Sequence, residues 1–496
     1  MPDDDLLTPP TTDLSSAANL SAALADATGE GSIDLLVVDA AHLEALAACG
    51  VELPDGAPDL LADAGGLVDL TRPEGSRSVR RVVGVADAAD AGALRAHGAL
   101  VGREGAGLSH VVVALAGEDL RPLVEGLVLG GYRSARRGTE GPVAGLEPAT
   151  TTTVVTDGVA LDLEAEGVGA AATLLARNLA NTPSNVKDPQ WMVERAEEVA
   201  RRRGLDLEVW DEQRLAAEGF GGLLAVGGGS VSPPRLVRLT HRPADAQGEH
   251  VVLVGKGITF DTGGINVKPG AGMVSMRTDM SGSAIVLAVI DAVAALSLPV
   301  HVTVLMPLAE NAFGGGSYRP GDVITPFGGR RTVEVTNTDA EGRIVLADAL
   351  AYADDHLDPG VVVDIATLTG AARVALARSM AALFAPDDVL AGELTTAGAS
   401  TGEPFWRLPL HEEYREYLRS DVADLDNAPG KVGAVTAALF LQEFVGERRW
   451  AHLDIAGPGR SDDDTGLLSV GATGYGARTL LTWLGGLTAP GRPEGN

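Results

Sequence analysis

The chain has 496 residues, 45% of them apolar, too many for one average domain and enough for two or three with sizeable cores. A formal charge of −30 and an isoelectric point near 4.6 argue against a polyanion such as nucleic acid as a partner, because phosphate binding needs clustered Lys and Arg. One cysteine, Cys49, leaves no intramolecular disulfide and fits a reducing compartment. The acidic start Met1-Pro2-Asp3-Asp4-Asp5 is unlike a secretory leader, and no apolar run approaches the ~18 to 20 residues of a membrane span, so a cytoplasmic location and no membrane partner are expected.

Residues 1–165 alternate short apolar runs (33–38, 79–85 and 111–115) with Ala-rich amphipathic stretches at 40–48 and 86–97, which predicts a smaller α/β domain. Its histidines His42, His97 and His110 are scattered and read as ordinary surface or packing residues. A linker is expected near Glu164 to Gly169, before a helical stretch ending in 178–185. In residues 166–496, nearly continuous apolar strands (251–255, 300–306, 361–366) alternate with helices that start near Ser281, Arg343 and Ala434. Strands of that kind belong to a sheet covered on both faces, so the larger domain is expected to be α/β with a central mixed or parallel sheet. The glycine clusters 227–229 and 314–316 read as loops.

Only four of the 38 basic residues are lysines: Lys187, Lys256, Lys268 and Lys431. Arginine serves almost everywhere that a plain positive charge suffices, so a surviving lysine marks a place where a guanidinium fails; an ε-amine can lose its proton. Lys256 and Lys268 share one Gly- and Asp-rich stretch with Asp261. Two strand-to-helix junctions add acids: Asp279 before Met280-Ser281-Gly282, and Asp339 with Glu341 in Thr336-Asn337-Thr338-Asp339-Ala340-Glu341-Gly342-Arg343. Either junction alone reads as an ordinary helix start, with Asp as N-cap and Glu in the first turn. Together, the four carboxylates would meet at the carboxyl ends of strands, where an α/β sheet places its active site. So many acids in one cleft need cations. A pair of divalent ions is a common hydrolytic device, and Lys256 would add a neutral amine to oxygen ligands.

With these residues in view, the sequence resembles the leucyl (cytosol) aminopeptidases, dinuclear metallo-exopeptidases whose signature Asn-Thr-Asp-Ala-Glu-Gly-Arg is reproduced at 337–343. Further blocks agree at 255–268, 279–282, Glu310-Asn311, 319–322, 367–370 and 452–457, so the resemblance covers roughly 170–490. It implies metal ligands at Lys256, Asp261, Asp279, Asp339 and Glu341, with Asp261 and Glu341 touching both ions. Lys268 takes the place of the family's catalytic lysine and Arg343 that of its catalytic arginine, which holds a bicarbonate. Met276, Thr367, Leu368 and Gly370 fall around the substrate's first side chain. The implied ions are Mn or Zn, with Mg or Co accepted by the same oxygen-rich set. Peptides with a free N-terminal Leu or other apolar residue, a homohexamer of two stacked trimers, and an assembly role for 1–165 follow from the same resemblance. Ser283, Ala312-Phe313 and Asp426, the last where Lys is frequent, depart from the family pattern without removing a ligand.

Two rival readings stand beside this one. A non-catalytic architectural or DNA-binding role on the same scaffold is opposed by the charge and by the complete ligand set. A two-metal phosphoesterase is opposed by the lysine ligand and by the lack of a Walker-type phosphate loop.

Overall fold

Short Val- and Leu-rich runs in the N-terminal part pair into a six-stranded sheet. Its strands are β1 (Asp13–Ala17), β2 (Leu35–Val38), β3 (Leu67–Asp69), β4 (Arg81–Gly84), β5 (His110–Ala114) and β6 (Thr151–Val155), in the order β1-β6-β5-β2-β4-β3. All pair in parallel except β3 against β4. Helices α1 (Leu20–Ala27), α2 (Ala40–Ala45), α3 (Ala91–Glu104) and α4 (Arg121–Gly131) accompany them. The computed structural model describes residues 13–488, apart from 28–32, 47, 50, 52, 57–66, 70–78, 80, 86–89, 117–118, 134–136, 139–140, 143–149, 158 and 160–161. The start of the helix expected at 86–97 therefore lies outside the described residues; its described part begins after Asp90, which caps α3 by accepting from Ala93 N at 2.8 Å.

The linker expected at Glu164 to Gly169 is instead helix, part of α5 (Leu163–Asn181). Gly167 and Gly169 each cost a helix only about 1 kcal/mol relative to Ala. Burial of Ala170 and Leu174 against Val128, Leu129 and Tyr132 outweighs that. The chain forms two compact units, Met1–Leu174 with Asp463–Ser469 and Leu175–Asp462 with Val470–Asn496, so the division falls within α5.

The second unit is built on a nine-stranded mixed sheet. Helix α6 (Pro189–Arg203) precedes β7 (Asp206–Trp210), β8 (Arg235–His241), β9 (Gln247–Gly255) and β10 (Gly257–Asp261). Then follow α7 (Ser281–Ala295), β11 (Val300–Asn311), α8 (Glu341–His356), β12 (Val361–Ala366), α9 (Gly370–Leu376), β13 (Ala381–Phe384), β14 (Phe405–Arg407), α10 (Gly433–Gln442), β15 (Arg449–Asp454) and α11 (Ala477–Leu487). The order is β14-β13-β15-β12-β9-β11-β8-β7, with β10 on β11. Strands β15, β12, β9 and β11 run parallel through the middle, and their apolar runs, such as 251–255 and 361–366, are buried. By composition, one segment, Gly270–Ala295, does pass as long and apolar enough for a membrane span, contrary to the reading of the bare sequence. Within the fold 83% of its apolar window is buried, as suits a core helix that is hydrophobic all round.

Candidate metal centre

The parallel strands end at one edge of the sheet, and the loops leaving them carry the acids and lysines. Lys256 follows β9, Asp261 closes β10, Asp279 stands between the 3-10 turn Met276–Thr278 and α7, and Glu341 opens α8. One oxygen from each of Asp261, Asp279 and Glu341 lies within 4.8 Å of the others. Lys256 Nζ is 2.7 Å from Asp279 Oδ2 and 2.9 Å from Glu341 Oε1. Lys268 Nζ is 2.8 Å from Asp261 Oδ2 and in close contact with Asp339 Oδ1. These six side chains, spread over 86 positions of sequence from Lys256 to Glu341, meet in one place.

The acids are not helix caps. Met280 and Ala340 occupy the N-cap positions of α7 and α8, and neither makes a side-chain cap bond. Burial pushes Asp279 well above the usual carboxylate range, with Lys256 opposing and Glu341 and Asp261 reinforcing the shift. Burial and repulsion from Glu341 raise Asp261, and burial together with Asp261 raises Asp339. Burial works against charge on Lys256, but Asp279, Glu341 and Asp261 outweigh it and hold the ammonium above its ordinary value; Asp261 and Glu341 do the same for Lys268. The cluster thus carries more negative charge than its lysines balance. Glu341 Oε2 is buried and accepts no hydrogen bond among the described residues. An oxygen-rich donor set with an open acceptor and excess negative charge fits divalent cations.

Neighbouring groups fix these side chains. Asn311 Nδ2 and Gly263 N each donate to Asp261 Oδ1 at 2.8 Å, and the Thr367 hydroxyl donates to Asp279 Oδ1 at 2.8 Å. A Cβ on Gly342 would stand 2.5 Å from Lys256 Cε and 2.7 Å from its Nζ, so the signature glycine makes room for the lysine stem. Asn311 and Gly342 belong to blocks legible in the sequence, yet nothing in their local pattern announces these contacts.

Arg343, 8% exposed, makes no ion pair among the described residues, and its Nε is buried without a partner. Burial pushes the guanidinium down to about 10, against the pull of Glu341, Asp454 and Asp426, so it stays charged at neutral pH. With Asp339, Glu341, Leu368 and Gly370 it lines a cavity of about 260 Å³. Met276, half-buried in the 3-10 turn, and Thr367 do not line that cavity. The connection Thr367–Gly370 is anchored by Asp454, whose carboxylate accepts from Leu368 N and Thr369 N at 3.1 Å and from the Thr369 hydroxyl at 2.7 Å.

Residues 174–481 match the catalytic domain of the cytosol aminopeptidase family. A protein of Chlorobaculum tepidum named as a probable cytosol aminopeptidase is 42% identical over 467 residues, covering 88% of this chain and 92% of its own length. Among solved structures, the bottromycin maturation enzyme BotP in complex with Mn is similar with a TM-score of 0.81 at 36% identity, over 92% of this chain and 100% of that one. The leucyl aminopeptidase of Trypanosoma brucei in complex with bestatin gives 0.84 at 26% identity, over 97% and 96%. An acid and lysine cluster at the carboxyl edge of a mixed sheet, carried on a catalytic domain of this kind, has one reading: the chain belongs to the cytosol aminopeptidase family, metal-dependent hydrolases that act on peptides.

Proposed function

We propose that the protein is a dinuclear metallo-aminopeptidase that removes an N-terminal Leu or other apolar residue. The observation that carries this is the meeting of Lys256, Lys268, Asp261, Asp279, Asp339 and Glu341 in one largely buried cluster with excess negative charge. Lys256 and the four acids would hold two divalent ions, Mn or Zn foremost, with Mg or Co accepted; the BotP relative was solved with Mn. Bound there, the ions would supply Lewis acidity and a water whose pKa falls from 15.7 to about 7. Lys268, whose side chain is 17% exposed, would donate to the scissile carbonyl oxygen as charge builds on it. Arg343, cationic and without an ion-pair partner among the described residues, would hold a bicarbonate that serves as base. Leu368 and Gly370, with Met276 and Thr367 from adjoining turns, would border the substrate's first side chain. One methylene there discriminates by only about 1 to 3 kcal/mol, so breadth among apolar residues is expected.

Two further features complete the reading. Residues 166–496 form the catalytic domain and 1–165 serve assembly into a homohexamer, in the cytoplasm. The rival DNA-binding role finds no support in the comparisons, and a charge of −30 opposes it.

The test compares leucinamide with N-acetyl-leucinamide at matched concentration, before and after exhaustive chelation with metal loss verified. Acetylation removes the lone pair of the α-amine, so only the free amide is expected to be cleaved, only in the metal-replete enzyme, and best at neutral-to-alkaline pH where the amine and Lys256 are not lost to protons. Comparable hydrolysis of both compounds, or turnover unchanged by chelation, would refute the proposal.

A further inference from the structure

We infer that Lys187 is a positioning residue for the metal cluster: it holds the backbone turn that delivers Asp279. The inference rests on the metallo-aminopeptidase reading above. Lys187 is 1% exposed, and its Nζ donates to three carbonyl oxygens, Leu179 at 3.1 Å, Ala180 at 2.8 Å and Arg277 at 2.6 Å. The first two lie in the last turn of α5, where carbonyls have no intrahelical partner and a cation is favoured. The third belongs to the turn Met276–Thr278. Burial, and after it the Arg277 charge, pull this amine well below its ordinary pKa, while three carbonyl oxygens favour its protonated form; its Nζ ties the end of α5 to the segment that carries Asp279.

Three acceptors converging on one atom need three donors from it. An ammonium has them, a neutral amine would aim its lone pair at one carbonyl, and a guanidinium spreads its donors across a plane. This accounts for a lysine at a buried position in a chain that mostly uses arginine. Lys187 makes no ion pair among the described residues, so its role is not charge compensation. Its own backbone is set by Lys187 N donating to Pro183 O at 3.0 Å, and by Asp188, which caps α6 by accepting from Trp191 N at 2.8 Å.

The neighbouring carbonyls are satisfied by residues close in sequence. Ser275 O accepts from Thr278 N at 3.0 Å and from its hydroxyl at 2.9 Å, Met276 O from Asp279 N at 3.2 Å, and Thr278 O from the Ser281 hydroxyl at 2.6 Å. Arg277 O is the one held from a distant element. Removing Lys187 would free it and let Asp279 shift relative to Asp261 and Glu341. Misplacement of about 1 Å at a reacting centre costs roughly 10²-fold in rate.

Lys187→Met keeps the unbranched side chain to within one atom of its length and removes its donors; Lys187→Gln keeps part of them. The full-length proteins, stripped of metal, are titrated with Mn²⁺ by calorimetry well below their metal-free melting midpoints, and kcat and KM for leucinamide are then measured at saturating Mn²⁺. Lys187→Met is expected to bind Mn²⁺ roughly tenfold or more weakly and to lose roughly tenfold to a hundredfold in kcat with less change in KM, with Lys187→Gln intermediate. A variant that melts lower but binds Mn²⁺ like wild type overturns the assignment, as does failure of both variants to fold, since Lys187 would then serve the fold alone. Calorimetry needs no substrate. Wild-type protein that binds Mn²⁺ but leaves leucinamide intact would count against the aminopeptidase reading and not against Lys187.

Discussion

Lysine and arginine part company at positions 256 and 268. Lys256 is enclosed by Asp279, Glu341 and the bare Cα of Gly342, whereas Lys268 keeps some contact with solvent. Lys256→Arg is therefore expected to lose metal, since a guanidinium neither ligates nor fits. Lys268→Arg is expected to keep metal while losing about 10² to 10³ in kcat, the usual cost of one misplaced oxyanion donor. Metal analysis of both purified variants beside their kinetics checks this, and equal metal content with near-normal turnover in both would show the lysines to be interchangeable with arginine. Gly342→Ala tests the enclosure directly. Its new methyl would collide with Cδ, Cε and Nζ of Lys256, and a roughly 10- to 100-fold loss in Mn²⁺ affinity is expected, as for other groups that support a metal ligand.

Between elements, two acids outside the lysine and carboxylate cluster hold neighbouring groups in place. Asp454 at the end of β15 accepts two backbone N–H groups and a hydroxyl from the connection between β12 and α9, and Thr369 in turn caps α9 by accepting from Ala372 N at 3.0 Å. Asp454→Ala leaves those buried donors without acceptors, so a loss of about 3 kcal/mol is expected in urea unfolding, together with a raised KM for leucinamide because Leu368 and Gly370 line the cavity. In the N-terminal unit, Asp39 caps α2 and lies 2.7 Å from His42 Nδ1, while His42 Nε2 is 2.5 Å from Asp157. Burial opposes charge on Asp39 but its bonds with His42 and backbone amides lower it overall, and the Asp39 hydrogen bond raises His42 against burial. The lowered Asp39 contributes stability above its unfolded value near 3.9 that is lost as pH falls; the raised His42 contributes stability below about 6.5 that is lost as pH climbs through its folded value. His42→Ala is expected to cost about 1 to 2 kcal/mol near pH 5 and less in alkali. Thermal melts of both proteins across pH provide the check, and a deficit that grows in alkali would reverse the sign.

For the whole molecule, charge and assembly pull against each other. Each copy carries −30, so six copies in one particle repel strongly unless salt screens them. The proposed homohexamer is therefore expected to tighten from low to physiological ionic strength, where the screening length is about 8 Å. Sedimentation at micromolar concentration in metal-replete buffer is the measurement. A monomer at every salt concentration would refute the assembly.

Most of the candidate site residues were legible in the sequence because their chemistry is dense and local: Asp339, Glu341 and Arg343 lie within one short signature, and Lys256, Asp261 and Lys268 within another. The α/β class followed from apolar runs whose length and alternation reflect burial of both sheet faces. What the sequence left open depends on residues that meet only after folding. Whether Asp279 and Asp339 cap helices or face lysines is decided by where β9 and β10 end, not by the junctions themselves. The expected linker at Glu164 to Gly169 became helix because Ala170 and Leu174 bury against α4 and Tyr132, a gain that local propensity does not contain. Lys187 reaches Arg277 O across 90 positions and Asp454 reaches Leu368 across 86, so only the tertiary structure, which brings these backbones within hydrogen-bond range, determines what those side chains hold.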